Sequence, residues 1–449
     1  MPKYVDPERG LISREIFVDE EVYRLEQERI FCKQWLFIGH ASQVPEPGDY
    51  FQSRMGEENV IMVRAKDGGI NVFLNSCRHR GMKVCRYDAG NAAVFTCPYH
   101  GWSYGLNGDL IGVPRFKDVY YGELDRSQYG LLAARVCNHR GMVWATWNFT
   151  GPDFYEFMGE MLQFHDSMLE PTDGGDGEME VLPGVQKWVV PCNWKFPGEN
   201  SIGDHYHGVS HVSVELVGIG PGGRGSTRHG DGGYRPLAMT AFPKTGHGSR
   251  GGKANPDAVP RYPFPAFSNP ATEAWHRAAW ERHQVNRPGE RPAWDRLGNG
   301  GNIFPNMNYH TRWPRTIMVA HPQSPTTCEM WRWFLVDKDM PFEVKQFLRA
   351  YYLRYSGPGG MTEQDDMENW AYATIASQGA MARKLPYNMQ QGLGHTVDSD
   401  VPIKGARYSQ GYVSESSAMV FYNRWQELMD QTEADPSVPN IAGRAAVRR

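Results

Sequence analysis

Short apolar runs separated by Gly, Asn and Asp fill the chain from Trp35 to about Asn148. NVIMVRA, NVFLNS, AVFTC and GMVWATW are rich in β-branched and aromatic residues, which predicts strands. Alternation is clearest from Val143 to Trp147. Before this region, residues 19–35 place Val22, Leu25, Ile30 and Trp35 among charges at roughly helical spacing, and the acidic residues that open the segment suit a helix N-terminus. After Pro152 the pattern is mixed. FYEFMGEMLQFHDSML and GGMTEQDDMENWAYATIAS read as helices, whereas QKWVVP, TIMVAHP and EMWRWFLV read as strands. The fold class is therefore α+β, with a small all-β domain over residues 36–152 inserted into a larger α+β domain formed by 1–35 and 153–449. From Gly218 to Pro265 the chain stays Gly-rich and turn-rich for longer than a compact connection usually runs, which predicts a lid or entrance loop. No repeat of solenoid period occurs.

Length supports two functional regions, since 449 residues exceed a single hydrophobic core. With 40% hydrophobic and 22% charged residues the chain is of ordinary water-soluble type, and no run of 18 uncharged apolar residues exists to span a bilayer. MPKYVDPERG has no apolar stretch behind its lysine, so a secretory signal is not expected and the cytoplasm is the expected location. A net charge of -4 without a Lys/Arg cluster argues against a nucleic-acid partner. Seven cysteines, an odd number without a regular framework, turn attention from disulfides to metals. Cys32, Cys85, Cys137, Cys192 and Cys328 lack partners at ligand spacing and are expected to be buried small hydrophobes.

Cys77 and His79 form one Cys-x-His arm, and Cys97 and His100 form a Cys-x2-His arm after 17 intervening residues. Each arm follows a β-like run, so each is expected at a strand end, where two loops can jointly hold one site. Two thiolates and two imidazoles suit a two-iron, two-sulfide cluster, in which histidine ligation of one iron reduces the negative charge and raises the potential. Zinc also accepts Cys2His2 ligation, but usually with both cysteines in one arm and both histidines in the other. Cys137-Asn138-His139 nearly repeats Cys77-Arg78-His79, yet it runs straight into GMVWATW and has no Cys-x2-His arm of its own. Position therefore favours Cys77 and His79.

A second constellation lies in GENSIGDHYHGVSH, residues 198–211. His207 and His211 are four apart, which on a helix puts both imidazoles on one face, with Asp204 three residues earlier on the same stripe. His205 points a quarter-turn or more away. Two histidines and one carboxylate with open positions make the facial triad of non-haem iron oxygenases. Local spacing leaves the third ligand open among Asp204, Glu199 and a carboxylate from elsewhere. Asn200, Ser201 and Ile202 before the pair, and Val209, Val214, Leu216 and Val217 around or after it, are candidates to line a substrate pocket. The run Gly220 to Thr227 superficially suggests a phosphate loop, but it lacks the lysine and the strand-to-helix context, so nucleotide binding is rejected.

CRHRGMKV and CPYHGWSYGLNGDL resemble the cluster-binding segments of Rieske ring-hydroxylating oxygenase large subunits, and the resemblance extends loosely over nearly the whole chain. It implies a Rieske domain, a catalytic domain with an antiparallel sheet flanked by helices, a [2Fe-2S] cluster, a mononuclear Fe(II) and dioxygen as co-substrate. Trp102 looks like the family's aromatic shield over the cluster. The family takes its third iron ligand from a distant helix, which GGMTEQDDMENW resembles, so alignment implies Asp366 as the ligand and Asp365 as the alternative. The same resemblance implies that Asp204 is a hydrogen-bonded bridge between metal centres of neighbouring subunits. Three residues separate His207 from His211, where several relatives have four or five. The implied activity is cis-dihydroxylation of an aromatic hydrocarbon or aromatic acid, with a Rieske monooxygenase or demethylase as the alternative and a pure Rieske electron carrier behind it. Implied partners are a ferredoxin and/or an NADH reductase, and a small beta subunit in an alpha3beta3 assembly.

Overall fold

The computed structural model describes residues 2–204, 206–219, 239–250, 269–292, 297, 300–311, 315–395, 403, 405–409 and 414–431. The chain divides into two compact units, one from Met1–Glu26 with Phe157–Gln431 and one that includes Gln27–Glu156.

The smaller unit is built on strands β1 (Leu36–His40), β2 (Asp49–Met55), β3 (Glu58–Arg64), β4 (Ile70–Leu74), β5 (Ala89–Asn91), β6 (Phe95–Thr96), β7 (Ser103–Tyr104), β8 (Leu110–Gly112), β9 (Arg135–His139) and β10 (Met142–Thr146). They form antiparallel sheets of order β4-β3-β2-β5, β8-β7-β6 and β9-β10-β1. The apolar runs chosen as strands fall on β3, β4, β6 and β10. The alternation expected from Val143 is absent. Every residue of β10 is buried, because it is the middle strand of its sheet and is covered on both faces. Ile61, Val63, Phe73, Phe95, Trp102 and Tyr104 pack into one core, which also encloses Cys77 and Cys97.

In the larger unit a nine-stranded sheet uses β11 (Met179–Val181), β12 (Gln186–Val190), β13 (Met239–Phe242), β14 (His247–Arg250), β15 (Gly300–Ile303), β16 (Met307–His310), β17 (Thr316–Ser324), β18 (Thr327–Asp337) and β19 (Arg407–Ser409). Its order is β11-β18-β17-β16-β15-β14-β13-β19, with β12 also paired to β18, and every pairing is antiparallel. Its helices include α1 (Glu20–Glu26), α2 (Lys195–Gly203), α3 (Val212–Val217), α4 (Pro270–Asn286), α5 (Phe342–Tyr355), α6 (Met361–Ser377) and α7 (Ser416–Met429).

α2 packs on β14, β15 and β16, with α7 beside it. Glycine in β14 allows this approach, since a Cβ on Gly248 would come within 2.3 Å of Ile202 Cγ1. A buried charge pair then joins three helices. Lys195 Nζ donates to Glu26 Oε1 at 2.5 Å and Trp425 Nε1 to the same oxygen at 2.7 Å, while Trp194 Nε1 donates to Glu26 Oε2 at 2.8 Å. Both charged side chains are fully buried, so each needs the other. Burial lowers the Lys195 pKa, and Glu26 opposes that shift.

Several expectations are corrected. The helix read over 19–35 is α only through Glu26 and continues as one π turn, Gln27–Phe31, that ends before Trp35. The helix read from Phe154 breaks into two α segments joined by a 3-10 turn at Gly159, whose φ is +47°. Part of the expected lid, residues 239–250, is the hairpin β13–β14 inside the sheet; most of the remainder, including the rejected phosphate loop, lies outside the described residues. Cys85, Cys192 and Cys328 are buried, but Cys32 is exposed and Cys137 half-buried. Among the described residues no helix is long and apolar enough to cross a membrane.

Candidate metal centres

Two loops of the smaller unit are built on one plan. Cys77 N–H donates to Met82 O at 2.9 Å and Gly81 N–H to Cys77 O at 2.8 Å; Cys97 N–H donates to Trp102 O at 2.8 Å and Gly101 N–H to Cys97 O at 2.9 Å. Each turn closes through a glycine with positive φ, +73° at Gly81 and +74° at Gly101, a conformation other residues rarely adopt. Asn75 fixes the return of the first loop. Its Oδ1 accepts from Val84 N and Cys85 N, both at 2.9 Å, and its Nδ2 donates to Cys85 O at 2.8 Å.

The four candidate ligands come together at the loop tips. Cys77 and Cys97 are buried, whereas His79 and His100 are half-buried, with ring centroids 4.5 Å apart. Trp102 stacks on His79 at 5.0 Å with an interplanar angle of 9°. His79 Nδ1 is buried and takes no hydrogen bond, as a nitrogen reserved for a metal should be. The Cys2His2 set therefore fits a Rieske cluster.

Tyr104 was not singled out by sequence. Its hydroxyl accepts the Arg78 N–H at 3.0 Å and lies 3.2 Å from Cys77 Sγ; a cluster-bound thiolate has no proton, so towards it the hydroxyl would be the donor. The near-repeat Cys137 and His139 lie within β9, paired to Trp144 and Met142, and not on a loop of this kind.

In the larger unit α2 stops at Gly203, and Asp204 adopts an extended conformation. Its Oδ1 accepts from Tyr206 N at 2.8 Å and His207 N at 3.2 Å, which starts a 3-10 turn over Tyr206–His211. The expected continuous helix is thus broken at Asp204, and the two histidines do not share an α-helical face. Their rings are nearly perpendicular, at 82°. Each has a carboxylate beside its Nδ1. Asp204 Oδ2 lies 3.4 Å from His207 Nδ1, and Asp365 Oδ2 lies 3.2 Å from His211 Nδ1 while also accepting from Ser213 Oγ at 2.9 Å. Such carboxylates fix the ring orientation and tautomer of metal-binding histidines.

Both remaining nitrogens face Asp366, with Oδ1 at 3.5 Å from His207 Nε2 and 3.4 Å from His211 Nε2. One ligand atom from each of the three residues lies within 4.8 Å of the others. Asp366 Oδ1 is buried without a hydrogen-bond partner, which marks the centre as a cation site, and the donor set suits Fe(II). Asp365 occupies the outer side of His211 because neighbouring helix residues point about 100° apart.

Electrostatics agree with this geometry. Burial acts to raise the Asp366 carboxyl, but His211, His207 and Arg250 together hold it below its usual range. Burial likewise acts to raise Asp204, and His207 with two backbone N–H groups brings it down. For His211 burial acts downward, but Asp366 and Asp365 raise it overall.

Other candidates separate clearly. Glu199 is engaged by the Tyr422 hydroxyl, and burial pushes its carboxyl up to about 8, the state of a protonated acid near neutrality. His205 lies outside the described residues. Ser201 and Val214 are buried, and Asn200 offers its carbonyl to Arg250. Val209 is 56% exposed, as are Leu216 and Val217 in large part, because the break after Gly203 turns this segment outward.

A Cys2His2 loop pair and a two-histidine, one-carboxylate centre together define an iron–sulfur-dependent non-haem oxygenase. Residues 34–122 match the Rieske [2Fe-2S] domain model, and residues 174–431 match the catalytic domain of the ring hydroxylating alpha subunit. The chain is 37% identical to the alpha subunit of benzene 1,2-dioxygenase from Pseudomonas putida, covering 94% of this chain and 92% of that one. It is 38% identical to the alpha subunit of biphenyl 2,3-dioxygenase from Rhodococcus jostii, covering 98% and 94%. A structure of naphthalene 1,2-dioxygenase with indole bound in the active site superposes with a TM-score of 0.83 at 30% identity, covering 95% of this chain and 94% of that one. The chain belongs to the ring-hydroxylating oxygenase family as an alpha subunit. Its cofactors are accordingly a Rieske cluster and a mononuclear iron, with dioxygen as co-substrate.

Proposed function

We propose that this chain is a terminal oxygenase that cis-dihydroxylates an aromatic ring with electrons drawn from its Rieske cluster. The observation that carries the reading is the convergence of His207, His211 and an orphaned Asp366 oxygen in a chain that also bears the Cys2His2 loops. Residues 36–152 form the Rieske domain, with Cys77, His79, Cys97 and His100 as cluster ligands. Residues 1–35 and 153–449 form the catalytic domain, with His207, His211 and Asp366 as iron ligands. When bound, the iron supplies the centre at which dioxygen is activated beside the substrate.

The chain's own residues hold and connect that centre. Asp365 orients His211. Asp204 orients His207 and is the bridge for electrons arriving from the cluster of a neighbouring subunit, a role supported by its one-third exposed side chain on the outer side of His207. Asn200 and Ser201 lie at the C-terminal half of α2 near the substrate. A ferredoxin and/or an NADH reductase supplies electrons, a small beta subunit completes an alpha3beta3 assembly, and the enzyme works in the cytoplasm.

Turnover of an aromatic ring in labelled dioxygen tests the reaction. Two labelled hydroxyls in a cis-dihydrodiol are expected. A single labelled hydroxyl, or formaldehyde released from a methoxy or N-methyl group, would replace this reading with a monooxygenase or demethylase.

A further inference from the structure

Arg250, the last residue of β14, brings a positive charge toward the mononuclear centre that no step so far uses. The register places it opposite Gly300 on β15, and Gly300 opposite His310 on β16, so the three form one row across the sheet. Gly300 has no side chain, and the arginine reaches over it, its Nε 3.5 Å from where a Cβ would stand. Arg250 shares a sheet face with Gly248, the face on which α2 rests through Ile202. It therefore points to the side where α2 leads into the His207 turn.

Among the described residues this guanidinium meets a backbone carbonyl and an imidazole. Nη1 donates to Asn200 O at 3.4 Å, and Nη2 lies 3.2 Å from His310 Nε2. A guanidinium has only donors, so in this contact His310 Nε2 is the acceptor. Neither contact is with a carboxylate. Burial lowers the Arg250 pKa, and Asp366 and Asp204 lie near enough to oppose that shift. An iron(II) held by His207, His211 and Asp366 would offset the Asp366 charge. Arg250 is half-buried at the end of its strand. A desolvated cation beside an oxygenase centre offers nothing to a plain hydrocarbon, but its planar fork matches a carboxylate.

Resting on the reading of this chain as a ring-hydroxylating oxygenase, we propose that Arg250 is a specificity-determining residue and that the substrate is an aromatic acid, its carboxylate gripped by Arg250 and its ring directed toward the mononuclear centre. His310 steers the fork through Nη2, and Asn200 O through Nη1.

Equilibrium binding to the iron-loaded oxygenase, measured by calorimetry, tests this with benzoate and 2-naphthoate against benzamide and 2-naphthamide. Wild type should prefer at least one acid over its amide by about 10- to 100-fold, the range of a charge-assisted hydrogen bond. Arg250→Met should abolish the preference while iron and sulfide contents stay unchanged, and Arg250→Lys should restore part of it. Equal binding of acid and amide by wild type overturns the proposal, as does an acid preference that persists in Arg250→Met. If Arg250→Met fails to fold, the wild-type comparison and Arg250→Lys decide. Dihydroxylation of a neutral ring without acid binding would sink the proposal and leave the oxygenase reading intact. Arg250-dependent acid binding with no oxygenation of any ring would do the reverse.

Discussion

Tyr104 and Asp365 each lie beside a proposed metal ligand, Cys77 and His211 respectively. The Tyr104 hydroxyl, committed as acceptor to Arg78 N–H, donates toward Cys77 Sγ. A hydrogen bond to a cluster sulfur stabilises the more negative, reduced state and raises the potential. Tyr104→Phe should lower the cluster potential by about 40 mV, the one-electron equivalent of about 1 kcal/mol, in a redox titration. An unchanged potential would exclude this role. Asp365→Asn should weaken iron retention about 10- to 100-fold in a chelator competition by loosening His211, while the cluster spectrum stays intact. If iron retention is unaffected, the contact at His211 Nδ1 has no positioning effect. The Cys and His arms were legible in sequence because a metal site built from two loops leaves its ligands close together along the chain. Tyr104 was not, because the contact with Cys77 is made across the fold and leaves no spacing signature. Asp366 was reached only by resemblance, since the third ligand comes from a helix far along the chain.

Secondary-structure elements supply the precision that the ligands lack on their own. The break between α2 and the 3-10 turn falls at one carboxylate, Asp204, which accepts two backbone N–H groups and lies beside His207 Nδ1. Periodicity hid this break, because a four-residue spacing of histidines is what a continuous helix also produces. Apolar runs such as Glu58–Arg64 and Thr327–Asp337 announced their strands, whereas the hairpin Met239–Phe242 and His247–Arg250 is short and glycine-rich and read as loop. α2 is anchored at its start by Lys195 and Trp194 on Glu26. Glu26→Gln leaves the Lys195 charge buried and unpaired and should cost about 3–5 kcal/mol of stability, seen as a lower unfolding midpoint. Adding Lys195→Met should recover much of that loss. A midpoint that does not move would show that the pair is not what holds α1, α2 and α7 together.

At the scale of the whole chain, each of the two units carries one of the proposed ligand sets, and the proposed chemistry uses both. A cluster of raised potential delivers electrons, and a centre with two imidazoles and one carboxylate keeps positions open for dioxygen. Length indicates two functional regions, and the two proposed ligand sets fall one in each unit. Substrate class was beyond composition and spacing, because it depends on Arg250, Gly300 and His310 meeting in one row of the sheet.

Iron and acid-labile sulfide, counted per chain in wild type and in His207→Ala, test the two-centre account most directly. Wild type should contain the sulfide of one Rieske cluster and one iron beyond the cluster's own, and His207→Ala should lose that extra iron and all ring hydroxylation while its cluster still reduces and reoxidises. A sulfide-free wild type carrying zinc, or a His207→Ala variant with undiminished iron and turnover, would contradict it.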